Sequence, residues 1–149
     1  MSVEIERKFL VDTARLPALP EPTRLRQGYL SLAPAVRVRL LTQPDGAQSA
    51  RLTIKGPGLL SRTELEYPIP PADTAVLFPL CARSLTKLRY RLGRWELDHF
   101  LDLPRGELWL AELELASEDE PFERPAWLGQ EVTQDPAYAN SRLAGPSER

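Results

Sequence analysis

Residues 84–102, SLTKLRYRLGRWELDHFLD, decide the fold class. Lys87, Arg89 and Arg91 alternate with Leu88, Tyr90 and Leu92. A period of two puts the charges on one face of a strand and the apolar groups on the other. Gly93-Arg94 suits a two-residue turn. The alternation then resumes, with Glu96, Asp98 and Phe100 opposite Trp95, Leu97 and His99. Two strands joined by so short a turn run antiparallel.

The same pattern extends in both directions. Segment 2–11 sets Val3, Ile5, Arg7 and Phe9 against Glu4, Glu6 and Lys8. Segments 24–32 and 35–42 follow, the second alternating Val36, Val38 and Leu40 with Arg37 and Arg39. Gly28 reads as a bulge in the first of these. Asp45-Gly46 is a hairpin signal leading into 48–55, with Arg51, Thr53 and Lys55 on one face. Segment 62–69 carries Glu64 and Glu66, and segment 107–116 carries Glu112 and Glu114 opposite Leu113 and Leu115. Pro71 and Pro79 bracket a short helix, and Asp135-Pro136 opens another that runs from Tyr138 to Leu143. The expected fold is mainly β with a few short helices. Its eight antiparallel strands curl into a closed β-barrel, a single domain over 1–149.

Composition narrows the function. The 149 residues are 42% hydrophobic and 27% charged, with a net charge of −2. That balance argues against a dedicated nucleic-acid binder, which carries a basic excess. No apolar run nears the roughly 20 residues of a membrane helix, and the opening MSVEIERKFLV is charged from Glu4 onward, unlike a secretory leader. A cytoplasmic protein without a membrane partner is expected. One cysteine, Cys81, and one histidine, His99, exclude a disulfide framework, a Cys/His zinc site and a Cys–His dyad. Both read as structural. Of nineteen cationic residues only Lys8, Lys55 and Lys87 are lysines, and all three fall on the charged faces. Lysine is a compact point charge with a tunable pKa, so its sparing use is informative.

On each strand taken alone, a charged face is ordinary solvated surface. The set is not ordinary. Like charges two residues apart sit about 7 Å from each other on one face and repel. Such pairs recur as Glu4/Glu6, Glu64/Glu66 and Glu112/Glu114, and as Arg37/Arg39, Lys87/Arg89 and Arg89/Arg91. A polyanion would neutralise the cations and a divalent metal the carboxylates. A barrel with its charged face inward gathers both, and its outward apolar face then needs cover from helices and proline-rich segments.

These residues also carry a resemblance. Glu4-x-Glu6-x-Lys8 is similar to the ExExK signature of the CYTH domain, the triphosphate tunnel metalloenzymes. The likeness continues in order through QGYL with Tyr29, VRVRL, LTIKG with Lys55, TELEY, TKLRY, WELDHF, AELEL and the tail EVTQDPAYANSRLA. It implies an eight-stranded tunnel that holds a triphosphate-containing small molecule with Mg²⁺ or Mn²⁺. Carried over residue by residue, it implies phosphate binding by Lys8, Arg37, Arg39, Lys55, Lys87 and Arg89. It implies metal ligation by Glu4, Glu6 and Glu114 first, then Glu112, Glu64 and Glu66. Lys87 with Tyr29 would activate a water. The activity implied is hydrolysis of inorganic triphosphate to pyrophosphate and phosphate. A class IV adenylate cyclase, a thiamine or nucleoside triphosphatase, and a non-catalytic polyphosphate-binding module remain alternatives. The motifs leave oligomeric state open.

Overall fold

The computed structural model describes residues 2–146. Eight strands build the barrel: β1 (Ser2–Val11), β2 (Thr23–Leu32), β3 (Ala35–Thr42), β4 (Gln48–Lys55), β5 (Ser61–Ile69), β6 (Arg83–Leu92), β7 (Trp95–Phe100) and β8 (Leu108–Glu114). Their order around the barrel is β1-β5-β4-β3-β2-β6-β7-β8, and β8 returns to β1. Every pairing is antiparallel. The alternating segments therefore close on themselves, which removes the exposed sheet edges. Two further strands are too short to show alternation in sequence. β9 (Leu128–Glu131) pairs with the C-terminal half of β1, where Phe9 faces Ala111 on one side and Glu131 on the other. β10 (Gly145–Pro146) pairs with the start of β6.

The apolar faces point outward and are covered. Phe9, Leu97, Ala111 and Leu113 are fully buried beneath Leu16, Leu19, Phe122 and Trp127, which come from the proline-rich segments flanking the barrel. Burial of each large apolar side chain is worth about 1.5–3 kcal/mol. Trp95 sits edge-on to Phe9 at 5.7 Å and to Trp127 at 5.3 Å between ring centres. On the opposite flank, Val38 is covered by Phe78 and Cys81. These lie just after α1 (Thr74–Leu77), which is a single turn framed by 3-10 turns. A Cβ on Gly28 would lie 2.7 Å from Cys81 Sγ, so this glycine permits the segment to approach β2. The bulge expected at Gly28 falls instead between Tyr29 and Ser31, where the β2–β3 register shifts. His99 stacks on Trp109 at 4.4 Å, and Cys81 is buried.

The inward faces change character along the strands. β1 reads Glu4, Glu6, Lys8, Leu10, and β8 reads Leu108, Leu110, Glu112, Glu114. Lys8 pairs with Glu112, Leu10 with Leu110 and Lys87 with Phe100, so the charged stretches align at one end and the apolar ones at the other. Tyr29, Leu85, Phe100 and Leu110 form an apolar plug with Leu143 of α2 (Asn140–Leu143). The single helix expected over 138–143 is two short turns. A 3-10 turn at Pro136–Tyr138 is capped by Asp135, which accepts the Ala137 N–H at 3.0 Å. Ala139 then adopts an extended conformation before α2 begins. Among the described residues no helix is long and apolar enough to cross a membrane.

Candidate active site

The charged faces line a cavity of about 500 Å³. Eleven of the expected site residues share it with Tyr29: Glu4, Glu6, Arg37, Arg39, Lys55, Glu64, Glu66, Lys87, Arg89, Glu112 and Glu114. Lys8 stands apart from this lining. Its ammonium donates to the Tyr138 carbonyl at 3.0 Å and lies 3.8 Å from Glu112 Oε1, behind that carboxylate and under the C-terminal segment.

On the β2–β3–β4 side the cations rest on neutral partners. Arg37 Nη2 donates to Thr53 Oγ1 at 3.3 Å. Its Nε is buried without a hydrogen-bond partner among the described residues. Arg39 Nε donates to Gln27 Oε1 at 2.9 Å. Burial, then the charges of Arg37 and Arg89, push Arg39 down to about 9. No carboxylate hydrogen-bonds to either guanidinium among the described residues. An orphaned buried donor is unfavourable by about 1–3 kcal/mol, and an oxygen-rich anion relieves it. Further along this side Arg51 pairs with Glu66, whose Oε2 also lies 3.5 Å from Thr53 Oγ1.

On the β1–β8 side carboxylates crowd together. Glu6 faces Glu114 across the ladder. Burial, then the charges of Glu112 and Glu4, push Glu6 up to about 8. Burial would also raise Glu112, but Lys8, Lys87 and Arg89 outweigh it and hold the group well below the usual range. Glu112 Oε1 is buried with no hydrogen-bond partner among the described residues. Glu4 accepts from Lys55 Nζ at 2.8 Å and Arg62 Nε at 3.3 Å. Burial opposes its ionisation, yet Lys55, Glu64 and Arg62 together hold it low. Glu64 lies 3.4 Å from Lys55, and burial with the neighbouring Glu4 raises it. Burial, with Arg37 and Arg62 close by, lowers Lys55 itself.

This donor set fits a hard divalent cation. All the donors are carboxylate oxygens, as Mg²⁺ and Mn²⁺ prefer. A proton kept on Glu6 by burial and then by its negative neighbours is one that a cation would displace. Among the described residues no three acidic, His or Cys groups stand in ready ligand geometry. An ion here would share its shell with water and a phosphate, the usual habit of Mg²⁺.

Lys87 joins the two sides. It is fully buried, with Nζ 2.7 Å from Asp98 Oδ2, and it donates to Asn140 Oδ1 at 2.9 Å. Burial, opposed by Asp98 and reinforced by Arg89, pulls it down to about 7. Asp98 also takes Arg89 in a fork, at 2.8 Å and 2.9 Å. Despite its burial, Asp98 is held low by Arg89 and Lys87. Tyr29 is reached indirectly. Lys87 lies opposite Leu25 in the β2–β6 ladder, whereas Tyr29 lies opposite Arg83. The connection runs from Lys87 to Asn140, from Asn140 to Gln27 at 3.4 Å, and from Gln27 Nε2 to the Tyr29 hydroxyl at 3.3 Å. Sequence reasoning gave no role to Asp98, Gln27, Arg62 or Asn140. Asp98 and Gln27 share the inward parity of their strands. Asn140 comes from a turn with no periodicity to betray it.

The fold and the site together define the class: a closed antiparallel barrel around a cavity lined by side chains of both charge signs. The family model described as the CYTH domain matches residues 2–141, and the chain belongs to that family. An inorganic triphosphatase of Acetivibrio thermocellus is 39% identical over 150 residues, covering 96% of this chain and 94% of that protein. An inorganic triphosphatase of Nitrosomonas europaea is 39% identical over 153 residues, covering 95% and 96%. A crystal structure of an inorganic triphosphatase superposes with a TM-score of 0.65 at 35% identity, covering 97% of this chain and 95% of the other.

Proposed function

We propose that this chain is a divalent-metal-dependent inorganic triphosphatase that cleaves tripolyphosphate to pyrophosphate and phosphate by attack of water. The observation that carries this reading is the segregation of charge in one 500 Å³ cavity. Arg37 and Arg39, which hydrogen-bond to no carboxylate among the described residues, stand on one side, and Glu6 lies partly buried among Glu4, Glu112 and Glu114 on the other. A bare metal ion complements the second side alone. A bare triphosphate, with about four to five negative charges, complements the first alone. Their complex complements both. The curated relatives named inorganic triphosphatase support the same substrate.

Arg37 and Arg39 hold phosphoryl oxygens, and Lys55 and Arg89 add charge from either flank. Glu4, Glu6, Glu112 and Glu114 would hold Mg²⁺ or Mn²⁺, which when bound neutralises phosphate oxygens and aligns them for in-line displacement. Lys87 handles the proton. Near its pKa of about 7 a useful fraction is neutral at physiological pH. The water oxygen bonds to phosphorus, the bridging P–O bond breaks to release pyrophosphate, and the water's proton passes to Lys87 Nζ. Asp98 keeps Lys87 in place and stabilises the ammonium that forms. The apolar plug closes the far end against bulk water. The free thiol of Cys81 suits a reducing compartment, the cytoplasm.

The test is phosphate release by purified protein from tripolyphosphate, ATP and thiamine triphosphate in parallel, with Mg²⁺, with Mn²⁺ and with chelator. Metal-dependent release that is strongest from tripolyphosphate is expected. Cyclic nucleotide and pyrophosphate from ATP, or binding without turnover, would overturn the reading.

A further inference from the structure

Two neutral amides lie between the cations of the tunnel, and their orientation is fixed by chemistry. Arg39 can only donate, so the oxygen of Gln27 must face it, and this is the contact seen at 2.9 Å. The Gln27 nitrogen then points the other way, 3.4 Å from Asn140 Oδ1. Lys87 also can only donate, so the oxygen of Asn140 must face its ammonium at 2.9 Å. With Oδ1 committed twice, the amide nitrogen of Asn140 turns away from both partners. Asn140 is half-buried and lines the same cavity as Arg37 and Arg39. No hydrogen bond from that nitrogen is formed within the described residues. Nor does the side chain serve α2. The N-cap is Ala139, and no side-chain cap is made.

We propose that Asn140 is a substrate-contacting and positioning residue of this tunnel: its Oδ1 seats Lys87, and its Nδ2 donates to a phosphoryl oxygen of the bound triphosphate. The proposal rests on the triphosphatase reading. It makes the C-terminal turn a part of the site rather than a lid over it. An amide is suited to the position. A carboxylate there would place a second anion beside Lys87, which already meets Asp98, and would repel the substrate, while an apolar group would leave the Lys87 ammonium one acceptor short. The two amides thus hold Arg39 and Lys87 in register without adding a negative charge beside either.

Asn140→Asp and Asn140→Ala separate the two roles. The aspartate variant keeps an acceptor for Lys87 but replaces the donor with an anion. Its KM for tripolyphosphate should rise about thirtyfold, as loss of a hydrogen bond to a charged group implies. The alanine variant loses both contacts, so kcat should also fall about tenfold as Lys87 loses its seat. Tripolyphosphate binding in the presence of chelator, followed by calorimetry, should weaken in both variants. A KM within twofold of wild type in the aspartate variant would overturn the substrate contact. Wild-type kcat and KM in the alanine variant, with only a lower Tm, would reduce Asn140 to a packing residue of α2. If wild-type protein binds but does not turn over tripolyphosphate, the triphosphatase reading fails. The calorimetric comparison still decides whether Asn140 touches the anion.

Discussion

The two sides of the tunnel handle buried charge in opposite ways. On β2 and β3, Arg37 and Arg39 are tied by Thr53 and Gln27, which fix geometry without cancelling charge. On β1 and β8, Glu6 is surrounded by Glu112, Glu114 and Glu4, and the strain is relieved by keeping a proton. The first side holds its charge ready for an anion. The second holds a proton ready for exchange with a cation. Where both signs meet directly, as at Lys87 and Asp98, the pair is fully buried. What a charged cavity binds therefore depends less on how many charges it has than on which of them already have partners.

The largest effect is expected at Lys87, where the two sides meet. Lys87→Ala should lower kcat about a thousandfold, the scale of a lost proton acceptor, while tripolyphosphate affinity changes less than tenfold. Equal losses in both would make Lys87 a phosphate ligand instead. In the wild type, kcat should rise with pH through about 7 as Lys87 loses its proton, a limb that stopped-flow or steady-state profiles would show. On the carboxylate side, Glu6→Gln should reduce metal-dependent turnover about a hundredfold, since one hard ligand and one charge are lost together.

A subtler variant sharpens the contrast. Gln27→Glu gives Arg39 the acidic partner it lacks, and KM should rise about tenfold with Arg39 still present. Stability reports the other side. The folded pKa of Glu6, about 8, stands above its ordinary value of 4.5. Between those values the folded chain keeps a proton that the unfolded chain has released, so metal-free stability falls as pH rises through this window. Glu6→Gln should remove that dependence. It should stabilise the metal-free protein at pH 9 by roughly 2 kcal/mol, a figure allowing for the solvent that reaches this partly buried side chain. Urea titrations in chelator would measure it. The smallest effect belongs to the rim. Arg91 is 76% exposed beside Glu96, so Arg91→Ala should change kcat/KM by less than about threefold.

Much of this was legible in the sequence because the barrel strands are long. Eight to ten residues of alternation, as in β1, β3 and β6, are enough to separate the charged face from the apolar one. The sidedness of the tunnel follows from that. What parity does not encode is which charges meet. Strands distant in sequence pair, as β1 does with β5 and β2 with β6, so Lys55 reaching Glu4 is a tertiary fact. Lys8 has inward parity, yet the turn at Tyr138 covers it. Tyr29 and Leu85 share the inward face with Arg37 and Lys87 but belong to the plug, because the inner face turns apolar along each strand. β9 and β10 rest on four and two residues. Short strands of that kind are dictated by the partner edge rather than by their own composition.

The proposed function requires the two sides of the cavity to serve one complex of metal and triphosphate. Calorimetry on the slow Lys87→Ala variant tests it directly, by titrating tripolyphosphate with and without Mg²⁺, and Mg²⁺ with and without tripolyphosphate. Each ligand should tighten the other by the same factor, about tenfold or more, because reciprocal coupling is required if they share one site. Independent affinities would show that the carboxylates and the guanidiniums serve separate ligands, and would contradict the proposed function.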